Sequence, residues 1–252
     1  MIDKIKKLIL KKNIDGYLLS KNDEYFTEYS KISNLKSVSN FSGSAGFALI
    51  MKNKNYLFVD GRYTLQAKKE SGQKFDIFEI PYSWPKNIFN KKTQKPIIGF
   101  DPNLFTYNIL KVYFDNSCDL LPLNEKLFEK KNNKNLNNKN KFYSLSQDVV
   151  GETSNSKIAR VINLLHKKKI ENLFISAGEN VCWLLNIRGK DLPNSPVANC
   201  RLILTKDKRL YFFSDKYKIS KIKKRLKKLK ISFHDEKEFF EIISLIKKKG
   251  NF

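Results

Sequence analysis

The chain is poor in the residues that most often carry chemistry. Of 252 residues, two are histidine and three are cysteine. Cys118, Cys182 and Cys200 are odd in number and far apart, and no C-x-x-C pair occurs. That usage suits buried thiols in a reducing cytoplasm and argues against a disulfide framework or a structural zinc site. His166 lies in a lysine-rich stretch and His234 in S-F-H-D-E. Neither has a second ligand at helical spacing, so both read as ordinary surface histidines. H-E-x-x-H, a Walker loop, G-x-S-x-G and G-x-G-x-x-G are all absent. No apolar run approaches the roughly 18 residues of a membrane span. The N-terminus, M-I-D-K-I-K-K-L-I-L-K-K, lacks the continuous apolar centre of a signal peptide. Its Ile2, Ile5, Leu8 and Ile9 instead predict an amphipathic helix over residues 2–12.

Acidic residues are scarce as well: 25 stand against 49 basic ones, for a net charge of +24. A charge of that size is compatible with nucleic acid or an anionic surface as partner. The lysines, however, are spread through nearly every segment, usually beside asparagine, and few of the basic residues are arginine, the preferred base and phosphate reader. A lysine-rich solvated surface is the favoured reading, with neither nucleic acid nor membrane as partner. A stand-alone basic binding protein is the alternative. A hydrophobic fraction of 41% with 13% aromatics can build packed cores, and the length allows one large or two small domains.

The stretch around which the rest is organised runs from Asn40 to Ala67. Ser42-Gly43-Ser44-Ala45-Gly46 predicts a small-residue turn. Phe47–Met51 and Tyr56–Val59 predict two strands about a polar tip, and Asp60-Gly61-Arg62-Tyr63 leads into a helix. Asp60 can accept backbone N–H groups at the helix start. Gly61 permits a turn that a side chain would obstruct. Arg62 stands at a strand end, where α/β sheets hold their ligands. S-G-S-A-G precedes a strand rather than a helix, so a phosphate cradle is not expected.

Strands are also predicted at Gly16–Ser20, Phe75–Ile80, Pro96–Phe100 and Cys118–Leu121. A helical turn is predicted at Asp23–Tyr29, a short helix after Pro85, and a helix over Leu104–Phe114 entered through Asp101-Pro102. Alternating strands and helices imply an α/β sheet flanked by helices. Glu129–Lys141 has one apolar residue and reads as an exposed linker. Beyond it come a helix at Lys157–Lys169 and strands at Asn172–Ser176, Arg201–Thr205 and Leu210–Phe213. Lys216–Lys230 has an apolar face of Ile219, Ile222, Leu226 and Leu229, which predicts a sheet-covering helix.

A shift of 154 residues lays Lys52, Lys54, Phe58 and Tyr63 on Lys206, Lys208, Phe212 and Tyr217 without a gap, as a duplicated module would. Ser214 then faces Asp60 and Lys216 faces Arg62, so the second copy folds without arginine there. Under the same shift the Pro96–Phe100 strand would recur at residue 250. The second module is therefore expected to be incomplete, and the chain to be the N-terminal piece of a longer protein.

F-S-G-S-A-G, F-V-D-G-R-Y-x-L-Q-A and I-G-F-D-P at residues 98–102 resemble the first domain of the aminopeptidase P family. W-L-L-N-I-R-G at residues 183–189, followed by Asn194-Ser195-Pro196-Val197, resembles its second domain. The resemblance implies an α/β fold of two tandem creatinase N-terminal-like modules, each a mixed sheet flanked by helices. Their expected limits are 1–127 and 144–252, joined by a Lys/Asn-rich linker at 128–143. It further implies a cytoplasmic, homodimeric metalloaminopeptidase that removes the residue before a proline, from peptides with proline in second position. Its two divalent ions, of which manganese is usual, sit in a C-terminal catalytic domain that this chain does not reach. The chain alone is then expected to be inactive, to bind no metal and to hold no catalytic residue. The arginine of D-G-R-Y contacts peptide in the family and falls on Arg62. W-L-L-N-I-R-G, with Asn186 and Arg188, is expected at a domain interface.

Overall fold

The computed structural model describes residues 1–27, 33–89, 94–125, 127–128 and 141–247. The chain divides into two units, Met1–Asn132 and Asn133–Phe252.

In the first unit, α1 (Ile2–Lys11) leads to β1 (Gly16–Ser20), α2 (Asn34–Ser39), β2 (Gly46–Met51), β3 (Asn55–Asp60) and α3 (Thr64–Ser71). Then follow β4 (Asp76–Ile80), α4 (Pro85–Phe89), β5 (Ile97–Phe100), α5 (Tyr107–Phe114) and β6 (Asp119–Pro122). The six strands form one sheet in the order β4-β3-β2-β1-β5-β6. β2 runs antiparallel to both neighbours, and the other pairings are parallel. The ends of β1, β3, β4, β5 and β6 therefore share one edge of the sheet with the start of β2.

Both faces of the sheet are covered, which is why its central strands read as unbroken apolar runs. Ala48, Ile50, Leu57 and Val59 pack on one face with Ile5, Ile9, Leu35 and Ala67. Phe47, Leu49 and Phe58 pack on the other with Phe89, Leu110 and Phe114. Each of these side chains other than the alanines contributes about 1.5–3 kcal/mol on burial.

The second unit contains β7 (Tyr143–Ser144), α6 (Gln147–Val150), α7 (Ser154–Lys167), β8 (Asn172–Ile175), α8 (Gly178–Leu185) and β9 (Ile187–Arg188). β10 (Arg201–Thr205), β11 (Leu210–Phe213), α9 (Lys223–Leu226), β12 (Ile231–His234) and α10 (Phe239–Lys247) complete it. Its main sheet has the order β12-β11-β10-β8, with β7 and β9 paired separately. β8–β10 and β10–β11 are antiparallel and β11–β12 is parallel. Order and direction reproduce β4-β3-β2-β1, as a duplication requires.

Three local expectations are corrected. The described part of Asp23–Tyr29, residues 23–27, is a turn: Asp23 Oδ1 accepts from the N–H of Tyr25 at 2.9 Å and Thr27 at 3.1 Å. The helix expected from Leu104 starts at Tyr107, because Asp101 spends its carboxylate on Asn103 N–H at 2.9 Å and Thr106 caps the helix instead. Lys216–Lys230 is not one helix but a 3-10 turn, Lys218–Lys221, followed by the short α9. Ile219, Ile222 and Leu226 are still its buried face, but the chain must re-enter the sheet, where Lys230 O accepts from Leu210 N. The linker residues 129–140 and the strand expected at residue 250 lie outside the described residues.

β1 is paired on both sides, by β2 and β5, whereas among the described residues β8 is paired only by β10. Backbone amides of Asn172–Ile175 are therefore expected to exchange with solvent faster than those of Gly16–Ser20. Equal protection in a hydrogen-exchange experiment would mean that this edge is covered.

Candidate functional site

The β2–β3 hairpin delivers Asp60 to the shared edge of the first sheet. Asp60 Oδ1 accepts from the backbone N–H of Arg62 at 3.0 Å and caps the turn Gly61–Tyr63. The same carboxylate takes the Arg62 side chain, Nε to Oδ1 at 2.8 Å and Nη2 to Oδ2 at 3.3 Å. The guanidinium and the Arg62 N–H hold the Asp60 carboxyl below the usual carboxylate range. The Arg62 side chain is nevertheless 72% exposed. Leu65, one helical turn on, and Tyr82, two residues past the Ile80 that pairs with Asp60, are 81% and 80% exposed. An exposed guanidinium can hold a carboxylate or carbonyl of a chain molecule. A Cβ on Gly61 would lie 2.7 Å from Glu79 Oε1, so the expected obstruction has a named partner.

The S-G-S-A-G turn is stitched to α3. Ser42 donates to Glu70 through its N–H and its hydroxyl, each at 2.8 Å. Gln66 Nε2 donates to Ser42 Oγ at 2.8 Å and Glu70 Oε1 at 3.0 Å. Ser44 Oγ lies 2.9 Å from Tyr63 OH, and Phe41 meets the Tyr63 ring edge-on at 5.9 Å. Gly43 is required for space: a Cβ would stand 2.3 Å from the Phe41 ring. The turn thus braces the segment that carries Arg62. Glu70 escaped the sequence reading; its only local signal is the spacing of four from Gln66.

The second copy tests which parts are scaffold. Residues 51–54 lie between the paired Ile50 and Asn55, but 205–209 lie between Leu204 and Leu210. The second tip is one residue longer, with Lys208 in the left-handed region at φ 66°. The ungapped alignment is corrected accordingly: beyond the tip Asp60 corresponds to Asp215, Gly61 to Lys216 and Arg62 to Tyr217. Asp215 Oδ1 accepts from Tyr217 N–H at 2.9 Å, the same cap as in the first unit. Ser214 is buried and donates to Asn199 O at 2.9 Å. Lys216 is bound to Glu238 at 2.6 Å, and Glu238 also meets His234 Nδ1 at 3.1 Å. Lys216 first, then His234, pulls the Glu238 carboxyl down to about 2. The cap recurs without an arginine, so the turn does not need one.

W-L-L-N-I-R-G spends its polar groups inside the second unit. Asn186 ends α8 in the left-handed conformation at φ 53°. Its Oδ1 accepts from Lys157 Nζ at 2.7 Å and its Nδ2 donates to Glu152 O at 2.9 Å. Lys157, 3% exposed, also donates to Trp183 O at 2.9 Å and lies 4.5 Å from the indole centroid. Burial pulls its pKa below the usual lysine range. Arg188 donates to Ile187 O at 2.8 Å and Cys182 O at 3.3 Å. The backbone of Ala198 touches the positions where Gly178 and Gly189 would carry a Cβ, so both glycines allow close chain approach. Among the described residues no three His, Cys, Asp or Glu side chains gather as a metal would need.

Models of the creatinase/prolidase N-terminal domain match residues 1–126 and 132–252. A Colletotrichum graminicola protein named probable Xaa-Pro aminopeptidase P is 28% identical over 220 residues, covering 82% of this chain and 36% of that protein. Xaa-Pro aminopeptidase 1 of Dictyostelium discoideum is 25% identical over 253 residues, with 89% and 39% covered. The chain thus spans somewhat over a third of these relatives' length. The X-prolyl aminopeptidase of Caenorhabditis elegans, described as a cytosolic enzyme with a di-nuclear active site, matches in shape with a TM-score of 0.87. That match covers 98% of this chain and 44% of that one at 23% identity, a likeness of fold.

Two outcomes follow from the contacts above. Burial opposes ionisation of Glu70, but the bonds from Ser42 and Gln66 more than offset it and hold the carboxyl below its usual range. The stability they contribute is present above the unfolded value of about 4.3 and is lost as pH falls through the lower folded value. Glu70→Gln is expected to lower the thermal midpoint at pH 7 and to flatten its decline below about pH 5; equal midpoints would remove Glu70 from the brace. Lys157→Met orphans Asn186 Oδ1 and leaves the Trp183 carbonyl only the Asn186 N–H at 3.4 Å, and is expected to cost about 1–3 kcal/mol in denaturant unfolding.

Proposed function

Because the chain belongs to the creatinase/prolidase N-terminal domain family, we propose that it forms the N-terminal region of an Xaa-Pro metalloaminopeptidase. In this reading the two units shape the cleft for peptides with proline in second position and support a cytoplasmic homodimer. Arg62 is the residue that touches peptide. What carries the reading is sequence likeness to curated Xaa-Pro aminopeptidases that runs through both units in one order. The basic-binding alternative draws no support from these relatives.

The described residues offer no ligand set for a metal pair. By resemblance, the reading assigns two divalent ions, manganese being usual, to a catalytic domain elsewhere in the polypeptide. It assigns this chain no step of the hydrolysis, and the chain alone is expected not to cleave peptides. Its contribution is positioning, through an exposed guanidinium held at a sheet edge.

The test uses the longer polypeptide that this reading implies, of which this chain is a part. Arg62→Ala is expected to reduce kcat/KM for a tripeptide such as Ala-Pro-Ala by about 10–100-fold, mainly through KM, as loss of a charge-assisted bond would. Unchanged KM and kcat would remove Arg62 from the site.

A further inference from the structure

We infer that Asp60 is a positioning residue, which acts on substrate only by fixing the direction of the Arg62 guanidinium. The inference rests on the reading of Arg62 as a peptide contact, and it goes beyond it by separating two functions of one carboxylate. The first is the cap: Asp60 Oδ1 accepts from Arg62 N–H at 3.0 Å, as Asp215 accepts from Tyr217 N–H at 2.9 Å. The second exists only in the first unit. There Asp60 also takes Nε at 2.8 Å and Nη2 at 3.3 Å, a side-on fork with both oxygens engaged.

A cap alone does not require that fork, since the turn in the second unit is made without it. The fork holds a long side chain that is 72% exposed. Ordering such a side chain costs up to about 2 kcal/mol. The fork spends that entropy before the ligand arrives, and it fixes the guanidinium plane and the direction of its Nη groups. The ring of Tyr63, 5.5 Å from the guanidinium carbon, supports it from the side and is itself tied to Ser44. The direction of Arg62 is therefore set by the sheet, through Asp60, and by the S-G-S-A-G turn, through Tyr63. Lysine could not be held this way, because a point charge has no plane to fix.

Asp60→Asn separates the two functions: Oδ1 can still accept the Arg62 N–H, but the charged fork is lost. In the longer polypeptide, Asp60→Asn, Arg62→Ala and the double variant are compared with wild type on Ala-Pro-Ala, alongside thermal midpoints. The expected pattern is a KM raised about tenfold by Asp60→Asn, with kcat within about twofold and a near-unchanged midpoint. The double variant should match Arg62→Ala alone, because a residue that acts through another has nothing left to act on. If Arg62→Ala has no effect, the functional reading itself falls. If Arg62→Ala is impaired but Asp60→Asn equals wild type, or if the two losses add in full, only the positioning role is overturned.

Discussion

The register of β3 is the constraint on which the site depends. Leu57 and Phe58 are adjacent, both fully buried, and face opposite cores. A slip of one residue would exchange those faces and place a phenylalanine among the smaller side chains around Ala48 and Ala67. Pairing with β2 on one side and β4 on the other fixes the same register twice. Asp60 is then obliged to lie at the last paired position, against Ile80, and Arg62 two residues beyond the edge. The precision of the guanidinium is in this sense borrowed from the core, and the polar contacts around it refine a position already set.

Duplication makes the same point from a second direction. The two sheets share order and direction, and their hairpins differ by one residue at the tip. That residue does not disturb the strands, because Lys208 takes it up in the left-handed region. The units differ again after β11, where a lysine stands at the position of Gly61 and is neutralised by Glu238. The first copy keeps a glycine there, beside Glu79, and an arginine next to it. The scaffold is thus common to both units, while the exposed fork belongs to one.

Much of this was legible in the sequence, and what was missed has a common cause. Strands such as Gly16–Ser20, Arg201–Thr205 and Leu210–Phe213 fall where their apolar runs predict, because burial on both faces leaves no polar interruption. The Asp60 cap was visible for the same local reason. The brace at Glu70 was not: its partner Ser42 is 28 residues away, and nothing in either neighbourhood marks the pair. Lys157 and Asn186 are 29 residues apart, and nothing in the sequence near either marks the pair that the end of α8 buries. The extra tip residue was hidden by repeated lysines, which align cheaply at several shifts. Local rules found the elements, and only tertiary contact could show which polar residues hold them together.

The same separation sets Arg62 apart from the other cations of a chain of charge +24. Exposed ion pairs such as Lys12–Glu125, Lys52–Asp15 and Arg160–Glu152 contribute about 0–1 kcal/mol each, so they neither build the fold nor mark a partner. Positive charge is abundant on this surface and therefore uninformative. What distinguishes Arg62 is its planar head, fixed on one side by a carboxylate that the backbone already needs and on another by a braced ring. A lysine at the same edge would add to the field but not to its direction. In a protein so rich in lysine, geometry at the end of β3, and not charge, sets Arg62 apart from the other cations.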